Sequence, residues 1–238
     1  MSVSNSLDWK HLFHQIKIIF ILLCAVSYHI WCRDFSRIVS LLYKKYYSDF
    51  FKDSAIIKLY SKFPNNTDLD EVLAKVTLLN AFYSTQILDM DLLNVSRDIV
   101  ELNIDSSIHG EKVDYDIVNR IAYGGIFYQR KLYSFASKFC SFHNPAEFPI
   151  VDSYSKGMLY YMNNCEDSRF HFFTHGFTQN DLNNYHNYCK VYNAFVKHFK
   201  LENISYKEID KYLWKYAKYE MGSKIQITDT TVYLDRLI

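Results

Sequence analysis

A mostly α-helical fold is predicted by three features of this 238-residue sequence. Six glycines and three prolines are too few for the tight turns of an all-β chain. Apolar residues recur at three- and four-residue spacing over long stretches. Capping residues precede several of those stretches. Hydrophobic residues make up 49% of the chain and charged residues 22%, which allows a sizeable core and excludes the disordered class. The length suits one large domain or two small lobes around a shared cleft.

The elements follow in order. Residues 1–63 read as an N-terminal helical segment. Within it, Ile18 to Val26 is strongly apolar and follows Lys10 and Lys17, as in a signal-peptide core. The run ends near Trp31, short of the ~20 residues a spanning helix needs, and no small-residue cleavage site follows. A buried or partner-facing helix is preferred over a membrane anchor or a signal peptide. Phe35, Ile38, Val39, Leu41, Leu42 and Tyr46 form a second helical stripe. Phe63-Pro64-Asn65-Asn66 is a turn and marks the boundary with a domain spanning 64–238.

That domain opens on a strong helix start. Thr67 can cap, Asp68, Asp70 and Glu71 complement the dipole, and Val72, Val76, Leu79 and Tyr83 share a face to about Gln86. A second helix covers Leu92–Leu102, Ile104–Ile108 is a connector, and a third helix covers Asp114–Ala122. Gly124-Gly125 ends it. Ser134 caps a helix bearing Phe135, Ala136, Phe139, Cys140 and Phe142, stopped by His143-Asn144-Pro145. Phe148-Pro149-Ile150-Val151-Asp152 is extended, because proline biases its predecessor away from α. Further helices run from Ser153 to about Asn163, Thr178 to Leu201, and Ser205 to Met221. Ser205 and Glu208 form a capping-box pair. Lys224 to Thr228 is a short strand or an irregular tail.

Composition narrows the function classes. The net charge of +1 excludes a strongly basic nucleic-acid coat protein, but not an enzyme with one local basic face. Cys24, Cys32, Cys140, Cys165 and Cys189 are odd in number and lack a C-x-x-C pair. They fit a reducing, cytoplasmic compartment and argue against a disulfide framework or an iron–sulfur cluster. His171 and His175 have the spacing of two ligands on one helical face, but no third ligand is evident, so no metal is expected. No cofactor is expected either. Aromatic residues reach 18%, either from coding bias or as surfaces on which bases stack.

The stretch Tyr123 to Leu159 carries the chemistry. It reads helix, glycine turn, Gln129-Arg130-Lys131, capped helix, proline-broken extended piece, then Val151-Asp152-Ser153 opening a helix. Pro149-Ile150-Val151-Asp152-Ser153 resembles the Pro-x-x-Val-Asp-Thr/Ser segment of the helix-hairpin-helix DNA glycosylase superfamily. Leu78 to Gln86 resembles that superfamily's first cleft helix. The resemblance covers about Leu69 to Tyr161. It departs from the pattern where the hairpin lacks Gly-x-Gly and where Tyr154 replaces the usual His.

The resemblance implies two helical lobes around a cleft, Asp152 as catalytic carboxylate, and double-stranded DNA as partner of a monomeric enzyme. Cutting an N-glycosidic bond leaves an oxocarbenium-like sugar, which a fixed carboxylate stabilises or supplies with an oriented water. Read alone, Asp152-Ser153 is an N-cap pair, and the two roles can coexist. Asn80, Tyr83, Ser84 and Gln86 would line the pocket for a flipped-out base, with His143 and Asn144 reaching it. Backbone amides at the start of the Ser134 helix, with Arg130, Lys131 and Lys138, would hold phosphates. Bifunctional members carry a Schiff-base lysine where this sequence has Tyr133 and Ser134. Hydrolysis without strand cleavage is therefore expected, unless a shorter loop brings in Lys131.

The wording from Ser134 to Pro145 also resembles a narrower anti-phage group, the bacteriophage replication inhibition glycosylases. That implies excision of α-glucosyl-hydroxymethylcytosine from phage DNA. Asp210-Lys211-Tyr212-Leu213-Trp214 recurs in this group, and only a packing role is assigned to it. The alternatives are a repair glycosylase for alkylated or oxidised bases, a noncatalytic helical module binding DNA or a partner, and a membrane-associated protein led by residues 18–31.

Overall fold

The computed structural model describes residues 51–124, 131–166 and 168–217. The chain divides into Met1–Phe50 and Phe51–Ile238, and every described residue belongs to the second unit. The expectations for residues 1–50, for Arg130 and for the tail beyond residue 217 lie outside the described residues. Among the described residues there are helices and turns and no strand, so the protein is mostly α-helical. No helix among them is long and apolar enough to cross a membrane.

Residues 51–62 form α1, with Asp53, Ile56 and Tyr60 buried on its inner face. The turn that follows is pinned rather than loose. The Asn66 backbone and side-chain amides donate to the Asp105 carboxylate at 2.8 and 2.6 Å, while Lys75 Nζ donates to Asn65 O and Asn66 Oδ1 at 2.7 and 3.0 Å. Burying an ammonium without such partners would be costly. Burial still pushes Lys75 down to about 8, against the opposing pull of Asp105 and Glu71.

Helix α2 is Leu69–Tyr83, and Val72, Val76 and Leu79 form its buried stripe. Its cap is Asp68 rather than Thr67. The Asp68 backbone is extended, and its short carboxylate accepts from Asp70 N and Glu71 N at 3.0 Å. The helix stops at Tyr83, short of Gln86, because Ser84 and Gln86 take left-handed backbone (φ 49° and 64°). Helix α3, Asp89–Glu101, starts earlier than expected, with Asp89 and Asp91 at its positive end. It packs against α2. The segment expected as a connector is a short helix, α4, Asp105–His109. Ile104 and Ile108, one turn apart, both point into the core.

Helices α5, Asp116–Tyr123, and α6, Tyr133–His143, lie against each other, and Leu132 N donates to Ala122 O at 3.0 Å where they converge. Gly124 closes α5; a Cβ there would stand 2.4 Å from Arg120 O. The α6 start is two residues earlier than a Ser134 cap would give: Leu132 takes the cap position with no side-chain bond. Buried Leu132 and Tyr133, together with the Ala122 link, fix the backbone there.

Phe148–Asp152 lies outside any helix, with Asp152 itself extended, and leads into α7, Ser153–Asn164. The helix expected from Thr178 begins only at Tyr185. Thr178 and Asp181 bond each other locally, through Thr178 N and Oγ1 to Asp181 Oδ2 at 2.8 and 2.7 Å, and a 3-10 turn at Asp181–Asn183 follows. Helix α8 is Tyr185–His198, and α9 is Tyr206–Tyr216. The Ser205–Glu208 capping box forms in both directions, at 3.3 Å from Glu208 N to Ser205 Oγ and 3.2 Å from Ser205 N to Glu208 Oε2. Ser205→Ala is expected to cost about 1 kcal/mol in urea unfolding, and Ser205→Thr to restore most of it; no loss would mean that α9 is held by packing alone.

Candidate active site

The site is built on the extended segment before α7. Its carbonyls are buried, so each needs a partner from elsewhere. Tyr185 OH donates to Pro149 O and Tyr188 OH to Ile150 O, both at 2.7 Å, from two α8 tyrosines buried completely. Ser137 Oγ, on α6, accepts from Val151 N at 3.0 Å and lies 3.2 Å from Val151 O. Three consecutive residues are thereby fixed by hydroxyls from two helices.

Asp152 comes next. It is half-buried, extended (φ −146°, ψ 179°), and caps α7. Oδ1 accepts from Ser155 N at 2.8 Å, and Asp152 N donates to Ser155 Oγ at 3.0 Å. Among the described residues no hydrogen bond engages Oδ2. Asp152 is the N-cap of α7, as the sequence indicates. One oxygen holds the helix, and the rotamer of the other is set by that bond.

A cluster of charged side chains gathers around Asp53 and Asp210, and Asp210 also feels the Asp152 carboxylate. Lys138 Nζ reaches back one turn of α6 to donate to Ser134 Oγ at 2.5 Å and lies 5.9 Å from the centre of the Tyr83 ring. Tyr83 OH donates to Asp53 on α1, which also pairs with Lys211 and, at 3.5 Å, with Lys207 on α9. Burial alone would raise the Asp53 carboxyl, but Lys207, Lys211 and the Tyr83 hydroxyl outweigh it and hold it below its ordinary range. Lys207 also stands 3.9 Å over the Phe142 ring. Asp210 is buried, one of its carboxylate oxygens has no hydrogen-bond partner among the described residues, and Tyr154 of α7 meets Trp214 edge-on.

The residues expected at the site fall into three groups. Asp152, Ser134, Lys138 and Tyr83 lie in or beside this cluster. Ser84 and Gln86 are exposed at the end of α2, where Asn80 braces the turn: its Oδ1 accepts from Thr85 Oγ1 and Ile87 N, and its Nδ2 donates to Ile87 O. His143 and Asn144 close the far end of α6, and Asn144 Nδ2 donates to Ile108 O at 2.9 Å. Lys131 is exposed, with Nζ 5.6 Å from the Tyr123 ring centre, whereas Lys138 is only 6% exposed and is no surface contact. A shallow apolar depression of about 450 Å³ on the outer face of α2, lined by Leu73, Ala74, Thr77, Leu78 and Ala81 with Asp70, offers little polar chemistry. His171 and His175 are not on a helix, so their spacing does not place them on a common face.

His143 sits in an aromatic nest, 4.5 Å from the Tyr60 ring centre and 5.2 Å from that of Phe139. Burial, then the nearby Lys75 and His109, pushes it down to about 3. The unfolded chain protonates this histidine near 6.5 while the folded chain does not. Stability is therefore lost as pH falls below about 6.5, by at most ~1.4 kcal/mol per pH unit. His143→Phe is expected to flatten this acid limb in urea melts between pH 7 and 5; an unchanged slope would assign it to other groups.

The α8 tyrosines and the α9 charges escaped sequence reading because they lie 33 or more residues beyond Asp152 in a polar-looking register. The one signal was Asp210-Lys211, a charged pair inside an otherwise aromatic helical stripe.

The described residues define a helical protein with an anchored capping carboxylate and a cluster of lysines on α6 and α9. The HI_0787_N family, which describes an N-terminal domain, matches residues 37–147. A Haemophilus influenzae protein described as uncharacterized is 31% identical over 156 residues, covering 65% of this chain and 70% of that protein. The chain belongs to the family of this Haemophilus influenzae protein. No solved structure matches it. The matched domain includes Tyr83, Ser134 and Lys138 and ends just before the segment that carries Asp152.

Proposed function

We propose that the protein is a monofunctional DNA glycosylase of the helix-hairpin-helix type, with Asp152 as its catalytic carboxylate. The observation that carries this reading is the anchoring of Asp152: a capping box fixes one oxygen, and three hydroxyls hold the residues immediately before it. Such rigidity is wasteful for a plain helix cap and suited to a group that must meet a reacting carbon. The paired helices α5 and α6 ahead of the segment agree with a hairpin that anchors DNA, with Lys131 exposed beside it.

In this reading the N-glycosidic bond breaks with its electron pair leaving on the base nitrogen. Water adds to the anomeric carbon, and Asp152 stabilises the developing positive charge and takes the proton of that water. Ser134 stands where relatives with lyase activity place lysine, so the product is an abasic site in an intact strand. The substrate assigned by the narrower resemblance is α-glucosyl-hydroxymethylcytosine in phage DNA.

The purified protein is to be incubated with glucosylated phage DNA and, separately, with alkylated DNA. Abasic sites in the first alone support the anti-phage reading, and in the second alone a repair glycosylase. Abasic sites in neither leave a DNA-binding module. A protein–DNA adduct trapped by borohydride would replace simple hydrolysis with lysine chemistry.

A further inference from the structure

Three lysines converge on one place from two helices. Lys138 comes from α6, and Lys207 and Lys211 come from α9. Buried ammonium groups normally have a carboxylate each, because desolvation is costly without one. Here Lys207 and Lys211 share Asp53. Lys138 is 6% exposed and bonds only a neutral hydroxyl, and among the described residues no carboxylate forms an ion pair with it. Lys207 Nζ is buried with its one charged contact at a long 3.5 Å, which leaves N–H donors unfilled. Asp210 forms no ion pair with them among the described residues, and one of its oxygens has no hydrogen bond; burial, reinforced by Asp152, pushes its carboxyl well above the ordinary range against the pull of the three lysines. Among the described residues three ammonium groups thus share one ion-paired carboxylate and keep N–H donors unused. Its α9 edge is open, with the Lys207 and Lys211 side chains 18% and 26% exposed.

We infer that Lys138, Lys207 and Lys211 form a binding site for a phosphate-class oxyanion beside Asp152. A tetrahedral oxyanion accepts several N–H bonds at once and supplies the missing negative charge. The phosphodiester of a nucleic acid and free phosphate share this chemistry. Asp53 is then the resident competitor, a carboxylate that holds the two α9 lysines in place while the site is empty. The site does not depend on Asp152 cleaving anything, so its failure and that of the glycosylase reading are separable.

The test uses the full chain, with melting temperature and Trp214 fluorescence read against inorganic phosphate and against a short oligonucleotide, at ionic strength held constant with chloride. Ligand binding to the folded state raises the melting temperature by mass action. The wild type is expected to respond to at least one probe. Lys207→Gln and Lys211→Gln weaken that binding on the order of tenfold or more each. Lys211→Arg keeps most of it, which a fold defect would not explain. Asp53→Asn, which frees both lysines, strengthens the response. A response to the oligonucleotide alone assigns the phosphodiester, and one to inorganic phosphate alone assigns a free anion. No response in the wild type, or an equal response in the folded glutamine variants, overturns the site. Loss of response in a folded Asp53→Asn protein does so too, by showing that the lysines serve only as an ion-pair strut. If Asp53→Asn does not fold, the comparison of Lys211→Arg with Lys211→Gln decides.

Discussion

Asp152→Asn is expected to remove base release while leaving the fold and DNA affinity in place. The amide keeps the capping oxygen, and asparagine caps helices about as well as aspartate, so the melting temperature should move little. What disappears is the negative charge that the proposed reaction places against the anomeric carbon. Loss of one such preorganised group costs on the order of 10²- to 10³-fold in rate, and the loss is larger where the charge also activates water. Single-turnover release of the base, read beside DNA binding, is the measurement. Excision at the wild-type rate would end the catalytic assignment. A parallel fall in binding and melting temperature would reduce Asp152 to its cap.

The second large effect is expected from Tyr185→Phe combined with Tyr188→Phe. Neither hydroxyl touches Asp152. Each satisfies a buried carbonyl of the segment leading to it, at 2.7 Å. Removing one partner of such a bond leaves the other unsatisfied, at about 1–3 kcal/mol each. The two rings lie 6.2 Å apart and nearly parallel, so the losses are not independent. The double variant should unfold at clearly lower urea concentration. At temperatures where it remains folded, it should release the base at least tenfold more slowly, because the carboxylate is no longer held in register. Unaltered turnover in the folded variant would show that the capping box alone positions Asp152.

How far the sequence revealed this site can be argued from individual residues. Pro149 and the apolar Phe148, Ile150 and Val151 announce an extended, buried segment. Asp152-Ser153 announces a cap, and Ser205 and Glu208 another, because these signals are local. Ser134 shows the limit of local reasoning. It has the chemistry of a cap, but the contact between Leu132 and Ala122 moves the helix start past it, and its hydroxyl goes to Lys138 instead. Ile104 and Ile108 form a helical pair too short to outweigh the polar residues between them until the core is assembled. Tyr185 and Tyr188 carry no such local signal, since no pattern of spacing says which carbonyl a phenol will meet. Asp53 lies 154 residues before Lys207 and 158 before Lys211, and only the folded chain brings them together.

The order in which this geometry can arise during synthesis follows from the origin of its clamps. A nascent chain that has just emerged past α7 has every acid and base of α6 and α7, but neither the phenols of α8 nor the ammonium groups of α9. Its carboxylate sits on a strand of backbone whose carbonyls still bond to water. In the proposed mechanism a ribosome-bound fragment that still lacks α8 and α9 is therefore expected to be inert toward DNA.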